Sequence, residues 1–180
     1  MTVIDYIVLS LAVGIDAMTA MRTCAEQSAV RPVKGLLVSL CMGMVYVVMM
    51  SLGVLIANRL RFDLPEVDSM ICLGFIVLVA VKMLLGMKKG AGAYDIGRIG
   101  TAILVAIALG INVLLIGLGT GFVGLISVDF WKYAVPMLIL VSFAAMWGIM
   151  LGRRNVEVRH RRWKVIAVIC LLVVAVKVVI

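Results

Sequence analysis

Polar residues are sparse along this chain and gather in clusters, leaving six apolar runs at about 4–23, 35–57, 69–87, 99–121, 133–152 and 165–180. A helix needs ~20 such residues to cross the hydrocarbon core of a bilayer, and the runs reach or approach that length. The pattern predicts an all-α integral membrane protein of six transmembrane helices, folded as one domain over residues 1–180. The first run lacks a basic flank, contains Asp5 and Asp16, and is followed by further spans, so it reads as a helix rather than a cleavable leader.

The runs repeat. Val79-Ala80-Val81-Lys82 recurs as Val174-Ala175-Val176-Lys177, an offset of 95. At the same offset Gly53–Arg59 (GVLIANR) matches Gly148–Arg154 (GIMLGRR), and Gly14-Ile15-Asp16 matches Gly110-Ile111-Asn112 at an offset of 96. Repeat one is about 1–90 and repeat two about 97–180. With three helices in each, the second copy enters the membrane from the opposite side, which predicts two inverted three-helix repeats.

Composition agrees. Hydrophobic residues make up 65% and charged residues 14%, with a mean hydropathy of +1.24, where a soluble domain carries about 25% charged residues. The net charge of +8 would suggest nucleic acid until the cations are placed. Odd-numbered loops hold Arg22, Arg31, Lys34, Lys88, Lys89, Arg98, Arg153, Arg154, Arg159, Arg161, Arg162 and Lys164, against Arg59, Arg61 and Lys132 on the other side. That asymmetry follows the positive-inside rule, so both termini are expected outside a bacterial-type cytoplasmic membrane. The basicity is a topology signal, and a nucleic-acid partner is not expected. The expected partners are the lipid bilayer and a small ion or solute, with the Arg153–Lys164 cluster touching anionic headgroups.

Each repeat carries one GI(D/N) residue and one lysine inside its runs: Asp16 and Lys82, then Asn112 and Lys177. A charge in hydrocarbon costs ~2.5–3.5 kcal/mol on insertion scales, and such residues commonly mark an ion or substrate path. Asp16 lies six residues before Arg22, and Lys82 six before Lys88, which predicts equal depth and an Asp16–Lys82 ion pair. Asn112 and Lys177 are placed alike in repeat two and are expected to hydrogen-bond. Both lysines have long stems that can instead carry the amine to the interface, whereas aspartate is too short to do so. Thr19, one turn from Asp16, offers a hydroxyl oxygen, although such threonines usually bond their own backbone. Gly14 and Gly110 are candidate points of close helix approach.

Other signals fail on context. Gly119–Gly124 fits GxGxxG, but no strand precedes it, and it reads as the end of a transmembrane helix. Cys24, Cys41, Cys72 and Cys170 fall in or beside four different runs without metal-ligand spacing. The thirteen methionines suit core filling; Met18 and Met21, close to Asp16, are the pair placed to meet a soft metal. His160 is the single histidine and sits outside the runs, so no nucleophile–base set exists and no enzyme is expected.

LAVGIDAMTA in the first run, ALGINVLLIGLG in the fourth, GVLIANRL closing the second and the basic Lys82 in the third resemble the MntP-type manganese efflux pump family of the lysine-exporter superfamily. The resemblance implies six spans, two three-helix repeats and a divalent cation bound between paired aspartates of helices one and four. Here those positions hold Asp16 and Asn112. The acidic residue the family carries in helix two is not present between Cys41 and Tyr46.

Mn²⁺ prefers carboxylate, carbonyl and water oxygens, so Asp16 and Asn112 are the candidate metal ligands. Lys82, Lys177, Thr19, Gly14 and Gly110 complete the candidate substrate site. The expected activity is efflux of a divalent cation such as manganese by alternating access, the metal being cargo and no cofactor being implied. An exporter of an anion or small amino-acid-like solute, drawn by the lysines, and a non-transporting membrane protein of the same fold are the alternatives.

Overall fold

A computed structural model describes residues 3–27, 32–60, 68–85, 96, 99–122, 130–154 and 160–179, and apart from a turn at 96 and another at 154 they are all helical. The helices are α1 (Val3–Gln27), α2 (Pro32–Leu60), α3 (Asp68–Leu85), α4 (Ile99–Phe122), α5 (Phe130–Arg153) and α6 (His160–Val179). Each expected run lies within or closely overlaps one of them. Among the described residues, four stretches are long and apolar enough to cross a membrane: Tyr6–Glu26, Pro32–Leu60, Gly100–Phe122 and Tyr133–Arg153. In α3 and α6 the apolar stretches are shorter, Met70–Met83 and Val165–Val174.

α1 extends beyond its apolar run to Gln27 because the charge that appeared to end it is neutralised within the helix. Arg22 is buried and pairs with Glu26 one turn on, at 2.7 Å. An (i, i+4) pair of opposite charge supports the helix and lowers the penalty of taking the guanidinium out of water. Arg22 is therefore an interior residue rather than a loop cation. Asp16 consequently sits at the middle of α1, deeper than its distance from Arg22 had implied.

The core is apolar and rich in thioethers: Met21, Met42, Met50 and Met137 are essentially inaccessible, together with Ile76, Ile116, Ile149 and Leu171. The outer surface is equally apolar, with Leu104, Ile139, Phe143 and Trp147 exposed in mid-helix. A bundle apolar both inside and out suits a hydrocarbon solvent, where packing and small residues rather than water exclusion hold helices together.

α1 packs chiefly on α5 and α6, α4 on α2 and α3, α2 on α5 and α3 on α6. Exchanging each helix for the one three places along returns the same set of pairs. Glycine makes the two main contacts possible. A Cβ at Gly53 would run into the Leu114 carbonyl oxygen of α4, and one at Gly148 into the Met18 carbonyl oxygen of α1. Gly53 and Gly148 are equivalent in the sequence repeat, and so are Met18 and Leu114. At the end of the bundle where α1 and α5 begin, Tyr6 and Tyr133 stack at 6.2 Å, and the Tyr133 hydroxyl lies 3.3 Å from Ser51 Oγ of α2.

Candidate cation site

Each of the four long helices carries a polar side chain within about two residues of its midpoint: Asp16 in α1, Tyr46 in α2, Asn112 in α4 and Ser142 in α5. At a rise of ~1.5 Å per residue, each lies within ~3 Å of the middle of its own helix. Asp16 is 8% exposed and Tyr46 fully buried.

Asn112 Nδ2 donates to Asp16 Oδ2 at 3.4 Å. The amide is oriented as chemistry requires, since turning it over would set its oxygen against the carboxylate. Asn112 Oδ1 is thereby left buried without a hydrogen-bond partner, as are Tyr46 Oη and Ser142 Oγ. Buried polar atoms without partners are uncommon in folded proteins and call for an explanation. The Tyr46 hydroxyl lies within electrostatic reach of Asp16 and is not hydrogen-bonded to it.

Close packing fixes these positions. A Cβ at Gly14, two residues before Asp16, would lie 3.3 Å from Ala144 Cβ of α5. One at Gly110, two residues before Asn112, would lie 3.0 Å from Met49 and 3.5 Å from Val45 of α2, the residues that flank Tyr46. Gly43, one turn before Tyr46, faces Ser142 Oγ and the Leu138 carbonyl of α5. The close approach expected at Gly14 and Gly110 is thus present, and each serves a contact between helices of different repeats. Thr19 is buried and donates to the Asp16 carbonyl oxygen at 2.9 Å, the local backbone bond such threonines commonly make.

Lys82 is placed differently from the sequence expectation: it is exposed in the last turn of α3, a helix packed mainly on α4 and α6. The expected Asp16–Lys82 pair is therefore not what the fold brings together: Asp16 is at mid-helix, Lys82 at a helix end. A lysine near a helix C-terminus gains from the helix dipole and can reach outward on its long stem. Lys177 lies near the end of α6, and its side chain falls outside the described residues. The Asn112 amide donates to Asp16, and its expected bond to Lys177 falls outside the described residues.

Among the described residues no three of His, Cys, Asp and Glu cluster as a metal site. Cys24 and Cys72 are buried and Cys41 and Cys170 half-buried, with no disulfide among them. The chain reaches Phe122 as helix, so Gly119–Phe122 of the GxGxxG match closes α4; Val123 and Gly124 lie outside the described residues. Tyr46 and Ser142 had drawn no attention in the sequence. The signal was available for Tyr46, which stands at the centre of the run 35–57.

A family model described as "Mntp: Putative manganese efflux pump" matches residues 29–179, which takes in α2 to α6 and leaves Asp16 outside the matched stretch. Searches of curated proteins and of solved structures give no match. The match spans well over half of the chain and agrees with the helical, apolar architecture, so the chain belongs to this manganese efflux pump family.

Proposed function

We propose that the protein exports a hard divalent cation, most plainly Mn²⁺, across a cytoplasmic membrane by alternating access, with six spans arranged as two inverted repeats and both termini outside. The observation that carries this reading is the Asp16–Asn112 contact at the centre of the bundle. It joins equivalent positions of the two repeats, which is where exporters built from inverted repeats hold their cargo. The set of packed helix pairs, unchanged when repeat one and repeat two are exchanged, supports the same arrangement.

The donor atoms suit the cargo. Asp16 supplies a carboxylate, and a turn of the Asn112 amide exchanges its N–H donor for a carbonyl oxygen, so the group that bonds the carboxylate can itself become a ligand. Hard dications favour such oxygens over sulfur. The exposed Lys82 does not place a competing positive charge against Asp16. With one formal negative charge in the pair, a dication would retain part of its hydration, which favours release over tight storage. The glycine contacts at Gly53 and Gly148, where helices of opposite repeats meet backbone to backbone, are the surfaces on which one repeat can rock against the other.

The test is transport in proteoliposomes of the purified chain. Mn²⁺ movement by the wild type, lost in Asp16→Asn, is the expected result. Failure of the wild type to move any of Mn²⁺, Mg²⁺ or Zn²⁺ would overturn the cation reading and leave a solute exporter as its replacement.

A further inference from the structure

We propose that Tyr46 is a third cargo-binding residue, its phenolic oxygen completing with Asp16 and Asn112 an oxygen cage contributed by α1, α2 and α4. The inference rests on the cation-export reading and names a ligand beyond it.

The phenol is fully buried, at 0% exposure, on the middle turn of a 29-residue helix. Its ring fills the core as any large side chain would, but its hydroxyl has no hydrogen-bond partner there. Phenylalanine would pack as well without the cost of a stranded hydroxyl, ~1–3 kcal/mol for a polar group buried unsatisfied. A tyrosine at this point therefore costs stability that no hydrogen bond within the chain offsets. Asn112 Oδ1 is stranded in the same way, and Gly110 seats Asn112's helix against Val45 and Met49, on either side of Tyr46. Two orphaned oxygens on adjoining helices, each near its helix midpoint and within reach of a carboxylate, describe a cation site rather than a packing defect.

No hydrogen bond joins the Tyr46 hydroxyl to Asp16 or to Asn112. Hard cations bind oxygen at ~2.0–2.6 Å, so one ion bridges two oxygens too far apart to bond each other. The resulting set is one carboxylate and two neutral oxygens, with water filling the remaining positions. The set holds no thiolate or imidazole, and its carboxylate, neutral oxygens and water are the ligand types that suit Mn²⁺ and Mg²⁺.

Tyr46→Phe removes only the oxygen. The experiment uses the full-length chain, wild type, Tyr46→Phe and Asp16→Asn, in two measurements: the melting temperature in detergent with and without Mn²⁺, and Mn²⁺ transport in proteoliposomes. Tyr46→Phe is expected to melt no lower than wild type without metal, to lose most of the Mn²⁺-induced rise, and to show a KM for Mn²⁺ raised ~10-fold or more, the loss of one charge-assisted contact. A structural role alone would do the reverse, lowering the metal-free melting temperature while KM stays put, and would overturn the inference. Should Asp16→Asn abolish transport while Tyr46→Phe keeps the wild-type KM, the export reading stands and the Tyr46 assignment falls. If the wild type neither moves Mn²⁺ nor is stabilised by it, both fall together.

Discussion

The amide of Asn112 donates to the carboxylate of Asp16 at 3.4 Å, across a separation of 96 residues that is also the offset relating these two positions in the sequence repeat. Residues related by a two-fold operation can touch only close to the axis. The contact therefore locates the proposed pseudo-two-fold axis at the buried carboxylate. Two carboxylates at this distance would repel each other unless a cation or proton lay between them.

Asn112→Asp should set two carboxylates against each other. At neutral pH the metal-free protein should melt lower than wild type, with Mn²⁺ restoring it, and apparent Mn²⁺ affinity should rise severalfold. Thermal unfolding with and without Mn²⁺ checks both effects. A variant with unchanged Mn²⁺ response would show that position 112 does not face the cargo.

The glycine contacts make a stability prediction with an internal control. Gly148→Ala and Gly53→Ala each drive a methyl group into a backbone carbonyl of the opposite repeat, at Met18 and Leu114. Overpacking of this kind costs ~1–3 kcal/mol. Gly74→Ala has open space around it and should be neutral or slightly stabilising, since alanine is the better helix former by ~1 kcal/mol. Melting temperatures in detergent should separate the first two from the third.

Lys82 is exposed at a helix end, so Lys82→Gln should leave Mn²⁺ export within about twofold of wild type, as surface substitutions usually do. Intracellular manganese in cells challenged with the metal is the readout. A loss as complete as that of Asp16→Asn would mean that the amine enters the site during the transport cycle.

The proposed orientation, with both termini outside, rests on the cation asymmetry. A single cysteine at Trp163 in a background without Cys24, Cys41, Cys72 and Cys170 should react only with membrane-permeant reagents in intact cells. Labelling by an impermeant maleimide would invert the arrangement.

Much of this protein is written in its order of residues. Apolar runs of spanning length can satisfy their backbone in lipid only as helices, so the six elements and their approximate limits followed from local pattern. The offset of 95 and the placement of cations spoke to repeats and orientation because both are properties of the chain itself. Asp16 could be singled out for the same reason: a lone carboxylate in an apolar run is costly wherever the helix lies.

The partners were decided by tertiary structure. Equal counting from Arg22 and Lys88 matched Asp16 with Lys82, but Arg22 goes inside on Glu26, α1 runs on to Gln27, and Lys82 ends exposed. Which face of a helix turns inward depends on where glycine lets another helix approach, and that is a relation between two distant stretches. So it was packing at Gly14, Gly110 and Gly43 that set Asn112 against Asp16 and enclosed Tyr46 and Ser142 near their helix midpoints. Sequence spacing measures position along one helix axis; the rotation of that helix about its axis is fixed by its neighbours.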